Sequence, residues 1–70
     1  MSRYLVVIER GSNSYGAYVP DLPGCVALGQ SAGEVRDLIR DAIALHVGEL
    51  RRQGRPVPAP RAEPDWADSN

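Results

Sequence analysis

The sequence has no lysine, and only one cysteine, one histidine and one methionine among its 70 residues. Each scarcity removes a class of protein. Cys25 has no second thiol in the chain, so no internal disulfide can form and a reducing, cytoplasmic setting is expected. One cysteine and one histidine, His46, cannot complete a structural zinc site, which takes four ligands. Positive charge is thin as well. The eight cations are all arginine, and nine carboxylates offset them for a net charge of −1 and a pI near 5.7. A nucleic-acid-binding module carries a basic patch and a high pI, so direct contact with RNA or DNA is not expected. The short groupings Arg36/Arg40 and Arg51/Arg52/Arg55 read as solvated helix faces. The apolar run from Tyr4 to Ile8 is far too short for a membrane span or a signal-peptide core.

What is present makes one small domain. A chain near 60 residues buries only about 60% of its unfolded surface, so its single core is marginal. Small domains are stabilised by disulfides, metals or partners. With the first two excluded, association with another chain remains, and a homodimer or larger homo-oligomer is expected.

The densest information lies between Tyr15 and Glu34, YGAYVPDLPGCVALGQSAGE. Tyr15 to Val19 is β-branched and aromatic enough for a strand. Pro20, Pro23 and Gly24 end it, and Pro23-Gly24 suits the central positions of a type II turn. Val26 to Gln30 reads as the returning strand. Ser31-Ala32-Gly33-Glu34 is a capping box, in which the serine hydroxyl accepts from the Glu34 N–H and the Glu34 carboxylate reaches back to the cap.

Upstream, Arg3 to Glu9 reads as a first strand, with Tyr4, Val6 and Ile8 on one face and Leu5 and Val7 on the other. Apolar residues on both faces are the mark of a strand covered on both sides. Arg10 to Ser14 closes a hairpin to the second strand, giving a three-stranded antiparallel meander. Gly16 and Gly29 inside strand patterns point to bulges or to close approach of another backbone. The spacing of Val35, Leu38, Ile39, Ala42, Ile43, His46 and Leu50 predicts a helix from Ala32 to about Gln53, roughly 30 Å long. Leu45 and Val47 widen its stripe beyond one face. Gly54 suits the position after the helix, with Arg51 and Arg52 in the last turn. Beyond it the composition changes, with four of the six prolines at 56, 58, 60 and 64. The expected division is a domain over residues 1–60 and a flexible tail over 61–70, in which Trp66 is the one sticky residue.

The order VVIE, YGAYVPDLPGCVALGQSAGEV, a long helix, then G-x-P-x-P resembles the HicB-type antitoxins over about Tyr4 to Pro60. The resemblance implies an α+β fold of partial ribonuclease-H-like type: three strands, a helix across one face, and a short fourth strand near Val57. It also implies a partner, a HicA-type toxin, which is a small basic ribonuclease that cleaves messenger RNA and whose catalytic histidine the antitoxin covers. Many such antitoxins carry a C-terminal DNA-binding domain. Only about fifteen proline-rich residues follow the helix here, so DNA autoregulation by this chain alone is not expected.

The ribonuclease-H likeness raises the question of metal-dependent hydrolysis, which needs several carboxylates at one place. Glu9, Asp21, Glu34 and Asp37 fall on a strand end, a turn, a helix cap and an exposed helix position, so no catalytic residue, metal or cofactor is assigned. His46 reads as a packed residue of the apolar stripe, and Cys25 as a small buried one. Asp21 is expected to accept hydrogen bonds from the turn behind it. Candidates for contact with the toxin are Tyr15, Tyr18, Asp21, Leu22 and Trp66, and candidates for contact between copies are Leu5, Val7, Leu45 and Val47. The alternative reading is a stand-alone structural or regulatory oligomer without a toxin.

Overall fold

The computed structural model describes residues 3–69. Three short strands, β1 (Val7–Arg10), β2 (Tyr15–Tyr18) and β3 (Val26–Gly29), precede one helix, α1 (Ala32–Arg52). The strands form one antiparallel sheet in the order β1-β2-β3. The α+β meander and the long helix are as expected. A fourth strand is not: residues 55–69 contain no strand.

β1 starts four residues later than its apolar pattern implies. Continuing the register inward from Val7↔Tyr18, Leu5 would lie opposite Pro20. The Val19 N–H points the other way, to the Cys25 carbonyl at 3.2 Å, so the next backbone group after β2 turned toward β1 is that of Pro20. A proline has no N–H to give, and the ladder stops there. Tyr4 and Val6 nevertheless keep the alternation and, with Ile8, pack against the core.

That core consists of Ala17, Val19, Leu22, Cys25, Val35 and Ile39, flanked by half-buried Tyr15, Ala27, Ala42, Ile43 and Val47. Alternation along the strands places Ile8, Ala17 and Ala27 in one cross-strand row facing α1. The PDLPGC segment holds the base of this core. Leu22 donates its N–H to the Val19 carbonyl at 3.0 Å and Cys25 donates to the Leu22 carbonyl at 3.0 Å, with Gly24 at φ +85°. This is the type II turn foreseen at Pro23-Gly24.

Both helix ends are fixed by local chemistry. Ser31 is extended at φ −145°, ψ 162°, and its hydroxyl accepts the Glu34 N–H at 3.0 Å. The reciprocal half of the capping box is shifted by one residue: the Glu34 carboxylate accepts from the Gln30 N–H at 3.1 Å, not from the cap itself. At the other end Gly54, at φ +68°, donates to the Arg51 carbonyl at 3.0 Å and Arg55 to the Leu50 carbonyl at 2.9 Å. That pair of bonds is a Schellman motif, and only glycine adopts its left-handed residue without strain.

The two strand glycines differ in the space around them. The ladder runs through both without a bulge. A Cβ on Gly29 would stand 3.2 Å from the Val35 nitrogen and 3.0 Å from Glu34 Oε1, whereas one on Gly16 would meet Leu28 Cδ2 at an ordinary 3.5 Å. Gly29 is therefore what lets the first turn of α1 close over β3. Gly29→Ala is expected to cost about 1–3 kcal/mol through overpacking. Gly16→Ala should change stability far less, and urea unfolding of both variants checks the contrast.

Candidate functional site

Helix α1 covers one face of the sheet and leaves the other bare. On the bare side the register aligns Val7, Tyr18 and Val26 in one row, and Glu9, Gly16 and Leu28 in the next. Tyr18 is 41% exposed, Val26 64% and Leu28 76%. Gly16 contributes no side chain, so Leu28 lies over the middle strand. Leu5 continues the alternation and is half-buried. Glu9 is the one ionised group in these two rows. Val26 also joins Ala42, Leu45 and His46 along a shallow groove between β3 and α1, and Leu45 is 75% exposed. The apolar surface thus wraps from the sheet face around the open edge of β3. Contiguous exposed apolar surface of this kind is what a docking partner would cover.

Several residues assigned to contacts from the sequence lie elsewhere. Leu22 has no exposed surface at all and is a core residue. Tyr15 packs against the core on the helix side of the sheet. Val47 also packs against the core, and with Val57 and Tyr4 it lines a second shallow groove. Tyr18 and Val7 are on the bare face, as their alternation requires. Val26 and Leu28 are its most exposed members, and neither is among the sequence candidates. The signal that finds them is the pairing of Tyr18 with Val26, which depends on how the PDLPGC turn is bent.

Asp21 has a different role from the one expected. Its carboxylate accepts not from its own turn but from the Arg61 and Ala62 N–H groups, at 3.0 and 2.9 Å. Upstream of that point the Tyr4 hydroxyl donates to the Pro58 carbonyl. The segment after the helix is therefore tied across the end of the sheet as far as Ala62, and Trp66, 92% exposed, lies beyond the tie. Asp21→Ala should release residues 59–62 locally. Faster hydrogen exchange at the Arg61 and Ala62 amides with little change in global stability is the expected result, because charge-assisted bonds of about 1.5–3 kcal/mol hold only this segment.

Glu9, Asp21, Glu34 and Asp37 do not converge, and among the described residues no group of three or more His, Cys, Asp or Glu side chains is placed to hold a metal ion. The Cys25 side chain is buried, and that burial pushes its thiol pKa up, away from a reactive thiolate. Glu49 is held below the ordinary carboxylate range chiefly by its hydrogen bonds with Arg52, helped by Gln53. It is a solvated pair at the helix end. Among the described residues no helix is long and apolar enough to cross a membrane.

One helix thus covers one face of a three-stranded sheet, and the apolar residues of the other face are left exposed. Residues 4–69 match the family described as the HicB-like antitoxins of bacterial toxin–antitoxin systems. The chain belongs to the HicB-like antitoxin family. It is also similar to two UPF0150 proteins. It is 48% identical over 44 residues to one from Helicobacter pylori, a match spanning 63% of this chain and 61% of that protein. It is 31% identical over 62 residues to one from Thermoplasma acidophilum, spanning 87% of this chain and 90% of that protein.

Proposed function

We propose that this chain neutralises a HicA-type messenger-RNA-cleaving ribonuclease by laying its bare sheet face over the nuclease and occluding the catalytic histidine. The observation that carries this reading is the row Val7–Tyr18–Val26 with Leu28 in the next, two rows in which Glu9 is the one charged side chain. A nuclease that grips RNA is basic, so rows that hold a carboxylate and no cation fit it without like-charge repulsion. Tyr18 supplies the aromatic anchor that interface centres favour. Such a protein inhibits by coverage and performs no chemistry of its own, and it acts in the cytoplasm, where messenger RNA is cleaved.

The same reading includes a homo-oligomer, since a 70-residue chain without disulfide or metal has a marginal core alone. It also takes the β-β-β-α order as the opening of a partial ribonuclease-H-like fold. Val57, half-buried beside Tyr4, lies in the segment that such a fold would use as its fourth strand.

The test is co-expression with the product of the adjacent gene, read by growth rescue and by pull-down. Rescue with a stoichiometric complex is expected. Expression of both proteins with neither rescue nor a complex would leave the stand-alone oligomer as the better account.

A further inference from the structure

The edge of β1 that faces away from β2 has no strand beside it among the described residues. Between that edge and α1 runs a groove of about 450 Å³. Its floor is aliphatic, made by Val6 and Ile8 from the sheet side and by Ile39 and Ile43 from the helix. Its rim is cationic, with Arg3 at one wall and Arg36 and Arg40 on the other. Arg40 has an exposed carboxylate neighbour in Asp37 at 3.8 Å. Among the described residues neither Arg3 nor Arg36 has one. An aliphatic trough bordered by guanidinium groups suits a ligand that is apolar in the middle and anionic on both sides.

The chain itself carries a segment of that description. Residues 63–69, EPDWADS, hold three carboxylates, no cation and the only tryptophan of the sequence. Trp66 is 92% exposed in its own chain, and its backbone N–H donates to the Asp65 carboxylate at 2.8 Å. The bonds from Arg61 and Ala62 to Asp21 anchor this arm at the β2–β3 turn. Its own groove leaves the arm untouched, as none of the residues lining it comes from the arm. The radius of gyration, 13.4 Å, exceeds the roughly 11 Å of a compact chain this long, as a projecting arm requires.

We propose that residues 63–69 of one copy dock in the β1–α1 groove of a second copy, reciprocally, with Trp66 on the aliphatic floor and Glu63, Asp65 and Asp68 against Arg3, Arg36 and Arg40. The exchange is isologous and closes at two copies. Each copy covers the indole of the other, and the ionic rim fixes direction and makes the dimer salt-sensitive. This deepens the homo-oligomer proposed above by naming its interface, and it leaves the bare sheet face free for the nuclease.

Trp66 is its own reporter. Sedimentation and tryptophan emission are followed together over a dilution series of the full chain, with the double variant Arg36→Glu/Arg40→Glu and a chain ending at Ala62 as comparisons. The expected result is a blue shift of the emission that tracks dimer formation, and a dimer at least roughly tenfold weaker in the double variant with the shift lost. The shortened chain, which keeps every core residue and the Asp21 anchor, should weaken similarly. Replacing Glu63, Asp65 and Asp68 by arginine in one partner should restore association with Arg36→Glu/Arg40→Glu in the other. A monomer at every concentration overturns both the oligomer and the arm exchange. A dimer in which Trp66 keeps solvent-exposed emission overturns the exchange alone, as does a shift that is independent of concentration. A shift that appears only when a cognate ribonuclease is added assigns the arm to that partner and overturns the exchange.

Discussion

Leu22→Ala is expected to destabilise the fold by about 2–5 kcal/mol, the usual range for a buried leucine whose cavity cannot collapse. Leu22 has no exposed surface, and its backbone is held on both sides by the Val19 and Cys25 hydrogen bonds. The turn therefore cannot slide inward to fill the space. Domains have total stabilities of about 5–15 kcal/mol, and one this small sits toward the lower end. The loss should lower the melting temperature by at least roughly 10 °C. Leu28→Ala is the matched control. It removes the same atoms from a side chain that is 76% exposed, and changes at such positions stay within about 0.5 kcal/mol. Both measurements belong at one fixed protein concentration, because self-association would add its own term. Equal losses for the two variants would mean that the PDLPGC segment is not the base of the core.

The contrast between these two leucines shows what could be read from the chain and what could not. Ser31, Glu34 and Gly54 announce the helix ends because capping is a matter of a few neighbouring residues. Pro23-Gly24 announces its turn for the same reason. Leu22 is a contact candidate by sequence and a core residue in the fold; it lies between two prolines in a turn, where period-two alternation does not say which way a side chain points. Tertiary packing decided it, turning the residue under the sheet. The residues of β1 favour a strand from Arg3 onward, but the constraint that ends the ladder belongs to Pro20, two residues past the end of β2. Asp21 shows the same limit at longer range, since its partners are 40 and 41 residues away and no local rule connects them. The bare face was half legible: Leu5 and Val7 follow from β1 alone, but Val26 and Leu28 join them only once the β2–β3 register is known.

That register carries the prediction with the largest effect on function. Val26→Lys and Leu28→Lys, made singly, should each leave the domain folded, since both side chains project into solvent. Circular dichroism and the melting temperature should stay near those of the parent. Against a ribonuclease seated on this face, each should cost about 2–4 kcal/mol, or roughly 30- to 1000-fold in affinity. Two effects add in the same direction: an ammonium group is buried against apolar surface without a partner, and a positive charge is set against a basic protein. Growth rescue on co-expression should fail accordingly. Leu28→Glu separates the two contributions, because it keeps the desolvation penalty while reversing the sign of the charge. It should weaken binding less than Leu28→Lys, and high salt should narrow the gap between them. Leu45→Lys asks how far the interface wraps around β3. A loss as large as that of Leu28→Lys would extend it onto α1, and no loss would confine it to the sheet. If all four variants rescue growth as the parent does, the nuclease is held by some other surface of the domain.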